Sequence, residues 1–204
     1  MPAVSQPKPT LFPQPMAPKC WAYAMATWMK HTPRRTGTPP EAVFQACKAF
    51  THPNGALMAS QVDKLFDSQF IRMGWKKLAG SEFEFDEIRD LLQLGYVYAI
   101  VDTPSNALER AIGVHMSHAR VIYGASDPAL YGGAEMDTID PMKGEFTWKL
   151  SEVKAQKVIL GFAGELLSEN KADGDGDGTP SRLFRRQWLH KFEGRQETRW
   201  TPRP

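Results

Sequence analysis

The spacing of apolar residues changes from a helical to a strand period near the middle of the chain, and this change most restricts its possible folds. In the first half, apolar residues such as Trp21, Met25 and Trp28 recur every three or four positions, which indicates amphipathic helices. In the second half, short apolar runs are separated by Gly, Pro and Asp turns, which is typical of strands. Helices followed by strands predict an α+β domain whose helical part packs against an antiparallel sheet.

The same patterns give bounds for each element. Helices are predicted over residues 20–31, 40–50, 60–70 and 85–94. Gly95 is a natural C-terminal stop for the last helix. Strands are predicted over residues 73–78, 96–101, 119–123, 135–139, 145–148 and 157–162. In the third helix, four side chains are predicted to face inward: Val62, Leu65, Phe66 and Phe70.

The chain is predicted to form one domain with a distinct segment at each end. It has 204 residues, of which 42% are hydrophobic, so it can bury a sizeable core. Residues 1–13 indicate an extended, proline-rich segment. Residues 14–167 form the predicted domain, and residues 168–204 form an acidic linker followed by a basic tail.

The C-terminal segment contains two patterns, each with more than one interpretation. Residues 173–178 match the opening of a calcium-binding loop, but Phe184 occupies the position of the required glutamate, so a flexible linker is favoured. Residues 182–195 place three aromatic side chains at helical spacing among basic residues, which predicts a basic amphipathic helix. We expect it to dock on the domain. A protein partner or chaperone is the second interpretation, and a membrane surface or nucleic acid comes last.

The number of cysteines and the hydropathy of the sequence indicate the cellular compartment in which the protein is made. The chain has two cysteines, Cys20 and Cys47, which excludes a disulfide framework and favours a reducing compartment such as the bacterial cytosol. No zinc site is expected, because the Cys and His spacings match no standard finger. Residues 1–19 lack the apolar core of a signal peptide, and no run approaches the about 20 apolar residues of a membrane span. If the protein acts outside its cell, we expect a specialised secretion system to deliver it.

Cys20 is predicted to lie at the first turn of an apolar helix. There the helix dipole and the backbone N–H groups stabilise a thiolate, the nucleophilic form of cysteine. The alternative is a buried core thiol, since free cysteine is among the most buried residue types. Cys47 lies among Val43 and Phe44 in the second predicted helix, and we interpret it as core.

His118 is the candidate base. It opens the apolar run 119–123, so we expect its ring to face the helix that carries the first cysteine. His115, three residues earlier, is the alternative. His31 and His52 lie in loop contexts and are interpreted as surface residues.

Asp140 is the candidate acid that orients the histidine. It ends a predicted strand just before Pro141, where a carboxylate can reach the far ring nitrogen of a histidine. Asp137 ranks second, and ordinary Asp-Pro turn chemistry is the simplest alternative. Gln14, six positions before Cys20, can donate a hydrogen bond to a developing oxyanion, with the backbone N–H of Cys20 as second donor.

These residues together resemble a known enzyme family. The patterns Gln-(x5)-Cys-Trp, His-Ala-x-Val-Ile-x-Gly and Asp-Pro-x-x-Gly follow one another between Gln14 and Gly144. This order resembles the papain-like cysteine peptidases, most closely the compact bacterial branch with bacteriocin-leader-processing peptidases and secreted effector proteases. The resemblance covers roughly residues 12–163. The chain differs in lacking the insertions and disulfides of the lysosomal enzymes, and in the run Pro-Met-Ala-Pro-Lys before Cys20.

The resemblance implies a papain-like fold and a role for each residue. Cys20 would be the nucleophile, His118 the general base and later acid, Asp140 the orienting residue and Gln14 the oxyanion-hole donor. No cofactor is required. The implied substrate is a protein or peptide of a target cell, cleaved by a secreted bacterial toxin or effector.

The implied partners and the alternative functions follow from the same features. An immunity protein or a secretion chaperone is a candidate partner, while nucleic acid and membrane insertion are not expected. The same three groups could instead serve an amidase, a deamidase or an acyl transferase. A non-catalytic binding module acting through the basic tail is the remaining alternative.

Overall fold

The order of elements along the chain follows the change in apolar spacing. The structure is a computed structural model that describes residues 4–15, 18–32, 37–71, 73–79, 85–102, 117–126, 133–153 and 157–162. In these ranges the main helices occupy the N-terminal half and most strands the C-terminal half. Helices packed on a sheet of seven strands confirm the α+β class.

The two long helices begin and end where the sequence predicts them, whereas two shorter helices cover less of the chain than predicted and are flanked by 3₁₀ turns. Helix α1 spans Cys20–His31 and helix α4 spans Phe85–Leu94. Helices α2 (Pro40–Ala46) and α3 (Val62–Asp67) are shorter than predicted. The 3₁₀ turns Lys48–Phe50 and Ala59–Gln61 form part of the predicted spans, and residues 68–70 follow the end of α3. At the end of α2, the Cys47 N–H is shared between the carbonyls of Val43 and Phe44 at 3.1 and 3.3 Å, which tightens the last turn. A short helix α5, Leu150–Val153, was not predicted.

The inward orientation predicted for Phe70 in the third helix is wrong. Helix α3 ends at Asp67, and Ser68 takes a φ of −57° and a ψ of 148°. The chain therefore leaves the helical path before Phe70, whose side chain is 36% exposed. The other three residues of the predicted inner face, Val62, Leu65 and Phe66, are buried.

Seven strands form one sheet, and each pairing among the described strands is antiparallel. They are β1 Val4–Ser5, β2 Gly74–Ala79, β3 Val97–Asp102, β4 Ser117–Ser126, β5 Glu135–Asp140, β6 Gly144–Lys149 and β7 Lys157–Phe162. The order across the sheet is β2-β7-β3-β4-β5-β6. Strand β4 is longer than predicted. Because β3 pairs only as far as Ile122, the next part of β4 is open to β1, which pairs with Gly124 and Ala125.

The two faces of the sheet bury separate cores. Ala119 and Val121 of β4 belong to the cluster that contains α1, α2 and α3, whereas Ile122 belongs to the cluster that contains α4. Side chains alternate across a strand, so His118 and Arg120 share the α4 face of β4. The start of β4 and the end of β5 meet at the same end of the sheet, because the two strands are antiparallel.

The N-terminal segment lies along the domain in an extended path. Its described part begins with β1 and is connected to β4, α1 and the loops by hydrogen bonds: Gln6 N to Tyr123 O (2.7 Å), Tyr96 Oη to Pro7 O (2.6 Å), Thr10 N to His31 Nε2 (2.9 Å) and Gln14 N to Pro141 O (2.9 Å). The boundaries after residues 13 and 167 stay predictions. The tail with its calcium-loop and amphipathic-helix interpretations, and His115, lie outside the described residues. Within the described ranges, no helix has the length and hydropathy needed to cross a bilayer.

Candidate active site

Cys20 is the first residue of α1, and it is more buried than its place at a helix start suggests. Its exposed fraction is 7%. The N–H groups of Ala22 and Tyr23 both bond to the carbonyl of Lys19, at 2.9 and 3.3 Å, so the helix is formed from its first turn. The earliest N–H groups of a helix have no acceptor within it, and they favour negative charge beside them. The thiol thus lies at the positive end of the dipole of α1.

Two tryptophans hold α1 in place. Trp21 Nε1 donates to Gly55 O at 2.9 Å, and Tyr98 Oη of β3 donates to Trp21 O at 3.0 Å. Farther along the helix, Trp28 Nε1 donates to Tyr96 O at 2.8 Å. These buried bonds, together with nine buried residues among the twelve of α1, fix the position of the thiol relative to the sheet.

His118 lies between the thiol and a buried carboxylate. Its Nε2 is 2.6 Å from Oδ2 of Asp140, which leaves Nδ1 for the hydrogen bond between His118 and Cys20. Burial alone lowers the pKa of His118, but the hydrogen bonds to Asp140 and Cys20 and the negative charge of both groups outweigh it and raise the pKa to about 9. The structure therefore brings three predicted residues together in the order thiol, imidazole, carboxylate.

Asp140 divides its two oxygens between the turn and the histidine. Oδ2 faces His118, while Oδ1 accepts the N–H groups of Met142 at 2.8 Å and Lys143 at 3.1 Å. The turn ends at Gly144, whose φ of +81° is a conformation that glycine adopts most readily. Burial raises the pKa of Asp140, but its hydrogen bonds and the charge of His118 hold it below its usual value. The Asp140 carboxylate thus both stabilises its own turn and makes the predicted contact that orients His118.

Gln14 is tethered beside the turn that follows Asp140. Its backbone N–H donates to Pro141 O at 2.9 Å, and its side-chain Oε1 is buried. One backbone hydrogen bond therefore joins the predicted oxyanion donor, Gln14, to the residue that follows the predicted acid, Asp140. Two residues of the run before Cys20, Met16 and Ala17, lie outside the described part of the chain.

The alternative residues lie elsewhere. Cys47 is fully buried, and burial raises its pKa to about 11, so the core interpretation is confirmed. Asp137 faces Gly124 across the β4–β5 pair, and burial followed by the charges of Glu145 and Glu135 raises its pKa. None of these groups contributes to the interactions of His118.

The two histidines interpreted as surface residues differ from each other. His52 is exposed, as predicted. His31 is the last residue of α1, half-buried, with its ring 5.6 Å from that of Tyr96 and its Nε2 accepting the Thr10 N–H. The loop interpretation of His31 is wrong, because the helix extends to this residue.

Arg120 is a residue of the site that sequence analysis missed. It is only 9% exposed, and its Nε lies 3.4 Å from Oδ2 of Asp140. The guanidinium lies over the rings of Phe146 at 4.5 Å and Trp148 at 4.9 Å. The available signal was an arginine in an otherwise apolar strand, two positions after His118 and so on the same face.

The arrangement can move a proton and generate a nucleophile without an added group. An imidazole bonded to a thiol on one side and to a carboxylate on the other can accept the thiol proton and later return it. Among the residues that the structure describes, no three His, Cys, Asp or Glu side chains lie together so that they could hold a metal ion. No protein-family model matches the chain, and no curated protein matches it.

Proposed function

We propose that the protein is a cysteine endopeptidase that hydrolyses peptide bonds through an acyl-enzyme on Cys20. The observation that carries the proposal is the hydrogen-bonded series from Cys20 through His118 to the buried Asp140, with Nε2 and Oδ2 at 2.6 Å. A thiol at a helix start, a base with a raised pKa and an acid fixed by its own turn are the groups that nucleophilic catalysis by cysteine requires.

In the acylation half of the cycle, His118 takes the proton of Cys20 and gives a thiolate and an imidazolium. The thiolate sulfur attacks the carbonyl carbon of the substrate and forms the C–S bond. The oxyanion is stabilised by the backbone N–H of Cys20 and the side chain of Gln14. As the C–N bond breaks, His118 transfers its proton to the leaving amine.

In the deacylation half, the neutral His118 acts as a base towards water. The hydroxide equivalent adds to the thioester carbon while the water proton moves to the imidazole. The C–S bond then breaks, the product leaves as a carboxylic acid, and the thiolate–imidazolium pair is restored. Asp140 keeps the ring oriented in both halves.

The finer assignment to the papain-like fold is part of the same proposal. It is supported by the thiol at the start of a central buried helix, with the histidine and the acid on adjacent antiparallel strands. Action as a secreted toxin or effector on a protein of a target cell rests on the sequence resemblance alone.

The direct test is a proteome-wide cleavage comparison. A cell lysate is incubated with the wild-type protein, with Cys20→Ala and with Cys47→Ala, and new peptide N-termini are identified by mass spectrometry. We expect new N-termini with the wild type and with Cys47→Ala, and none with Cys20→Ala. Thermal unfolding of each variant shows that it is folded.

Assays of ammonia release and acyl transfer on the same samples separate the alternatives. Ammonia release or acyl transfer that depends on Cys20, without new N-termini, would assign the site to an amidase, a deamidase or a transferase. New N-termini produced equally by Cys20→Ala would contradict a cysteine mechanism altogether.

A further inference from the structure

The carboxylate of Asp140 is a buried charge at every stage of the proposed cycle. Its side chain has no exposed surface, and an ionised carboxylate in such a place is costly unless it is paired and hydrogen-bonded. Two backbone N–H groups bond Oδ1, but they carry no net charge. The charge balance of the site therefore depends on neighbouring cations.

His118 is only an intermittent cation. It is charged while it holds the proton of Cys20 and neutral after it protonates the leaving amine. In the neutral state, a buried carboxylate at 2.6 Å would be without its charged partner, and uptake of a proton by Asp140 would become more favourable. A protonated Asp140 would no longer stabilise the next imidazolium.

Arg120 is a cation in both states. A guanidinium does not lose its proton in proteins. Its Nε lies 3.4 Å from the same Oδ2 that faces His118, and packing over Phe146 and Trp148 fixes its position. Among the residues that the structure describes, the other charges that act on these groups are Cys20 beside His118 and Glu152, in the first turn of α5, near Arg120.

We propose that Arg120 is a positioning residue, a permanent counter-ion that keeps Asp140 ionised and directed at His118 Nε2 in both charge states of the histidine. The inference rests on the proposed function, because a changing charge on His118 is what makes a second cation necessary. It assigns a role to the variable position of the His-Ala-x-Val-Ile motif.

The test compares pH profiles of peptide cleavage for three variants. Arg120→Met removes the charge and keeps an apolar side chain against the two rings. Arg120→Lys keeps the charge. Phe146→Leu is the matched structural control, since it removes one of the two rings that pack on Arg120 and keeps the guanidinium charge and the Trp148 ring. Thermal unfolding and kcat/KM between pH 4 and pH 10 are measured for each.

We expect Arg120→Met to lower kcat/KM about tenfold and to move the acid limb upward by about one pH unit, because Asp140 then takes up a proton more readily. Arg120→Lys should keep the acid limb at the pH where the wild type has it. Phe146→Leu should lower the unfolding temperature without moving that limb. If Arg120→Met does not fold, Arg120→Gln replaces it with the same expected shift.

An acid limb that stays in place in the neutral variant, while the wild type cleaves, overturns the counter-ion role and leaves the proposed function intact. A limb that moves equally in Phe146→Leu has the same consequence, since packing would then account for it. A wild-type protein that cleaves no peptide refutes the proposed function, and the role of Arg120 with it.

Discussion

At the scale of single residues, both oxygens of the Asp140 carboxylate have hydrogen-bond partners, and an amide has only one oxygen to accept them. One oxygen accepts two backbone N–H groups of its turn, and the other faces Nε2 of His118. An asparagine offers a single oxygen, so it would satisfy either the turn or the histidine. If the amide nitrogen faced the ring instead, it would donate to Nε2 and favour the wrong tautomer for accepting a proton from the thiol.

The first prediction concerns the substitution Asp140→Asn. We expect kcat/KM to fall by about a hundredfold or more. In catalytic triads, replacing the aspartate by asparagine holds the histidine in the wrong tautomer and causes a loss at least this large. The alkaline limb of the residual activity should move to lower pH, because the Asp140 charge and hydrogen bond, which together with those of Cys20 raise the pKa of His118 to about 9, are removed. The measurement is kcat/KM for a peptide substrate across the pH range.

Asp137→Asn is the matched control for this prediction. It lies on the same strand three residues earlier and faces Glu145 and Glu135 rather than His118. Its pH profile should match the wild type. An equal loss of activity in both variants would show that any neutralised carboxylate on β5 has this effect.

At the scale of elements, the pairing of β4 and β5 sets the geometry of the site. The pair of Val121 with Ile139 places the start of β4 beside the end of β5. The register shifts between Ile122 and Gly124, where Asp137 comes opposite the glycine. A Cβ on Gly124 would meet Asp137 Oδ2 at 2.5 Å and Asp137 Cβ at 3.1 Å, so a methyl group there would displace the Asp137 side chain.

The second prediction is that Gly124→Ala destabilises the protein by about 1–3 kcal/mol, the usual cost of forcing extra atoms into a packed contact. Gly37→Ala is the control, because the nearest described atoms to its Cβ would be those of Lys30, at 3.7 Å or more. The free energy of unfolding in urea measures both. A cost for Gly124→Ala no larger than that of the control would contradict the packing argument.

Elements with a clear period could be predicted from the sequence, and contacts that depend on strand register could not. Helices α1 and α4 carry regular apolar stripes, so their bounds were predicted correctly. The 3₁₀ turns after α2 and before α3 were missed, since a three-residue period keeps a similar apolar spacing. Strand β1 has two residues in a proline-rich segment, and only its pairing with β4 identifies it.

The same distinction applies within the site. Cys20, His118 and Asp140 could be proposed from motifs because each motif carries its own local geometry. The contact of Arg120 with β6 depends on the order and register of three strands, which no local pattern encodes. The tether between Gln14 and Pro141 likewise joins segments that are distant in the chain.

At the scale of the whole molecule, the site affects stability as well as chemistry. The folded protein holds a proton on His118 up to a pH of about 9, whereas a histidine in the unfolded chain has a pKa near 6.5 and loses the proton there. The contribution of His118 to stability is therefore fully present below pH 6.5 and is lost as the pH rises through 9. His31 acts in the opposite direction. Burial lowers its pKa, so its contribution to stability is lost as the pH falls and the ring takes up a proton.

The third prediction is that the free energy of unfolding falls between pH 6.5 and pH 9 by at most a few kcal/mol, on the order of 3 if His118 alone changes its protonation there. A proton that His118 takes from Cys20 leaves the number of protons bound to the folded protein unchanged and makes the fall smaller. Urea unfolding at several pH values within that window measures it. His118→Asn should show a flatter dependence. A wild-type stability that rises across the window would contradict the raised pKa of His118.

The central claim is that Cys20 is a nucleophile made reactive by His118, and the most direct measurement is modification of the folded protein by a thiol-reactive epoxide, mapped by peptide mass spectrometry. We predict modification of Cys20 and not of Cys47. The rate should fall at least about tenfold in His118→Ala and stay unchanged in His52→Ala, which replaces an exposed histidine. Modification of Cys47 in preference to Cys20, or an equal rate at Cys20 in His118→Ala, would contradict the account.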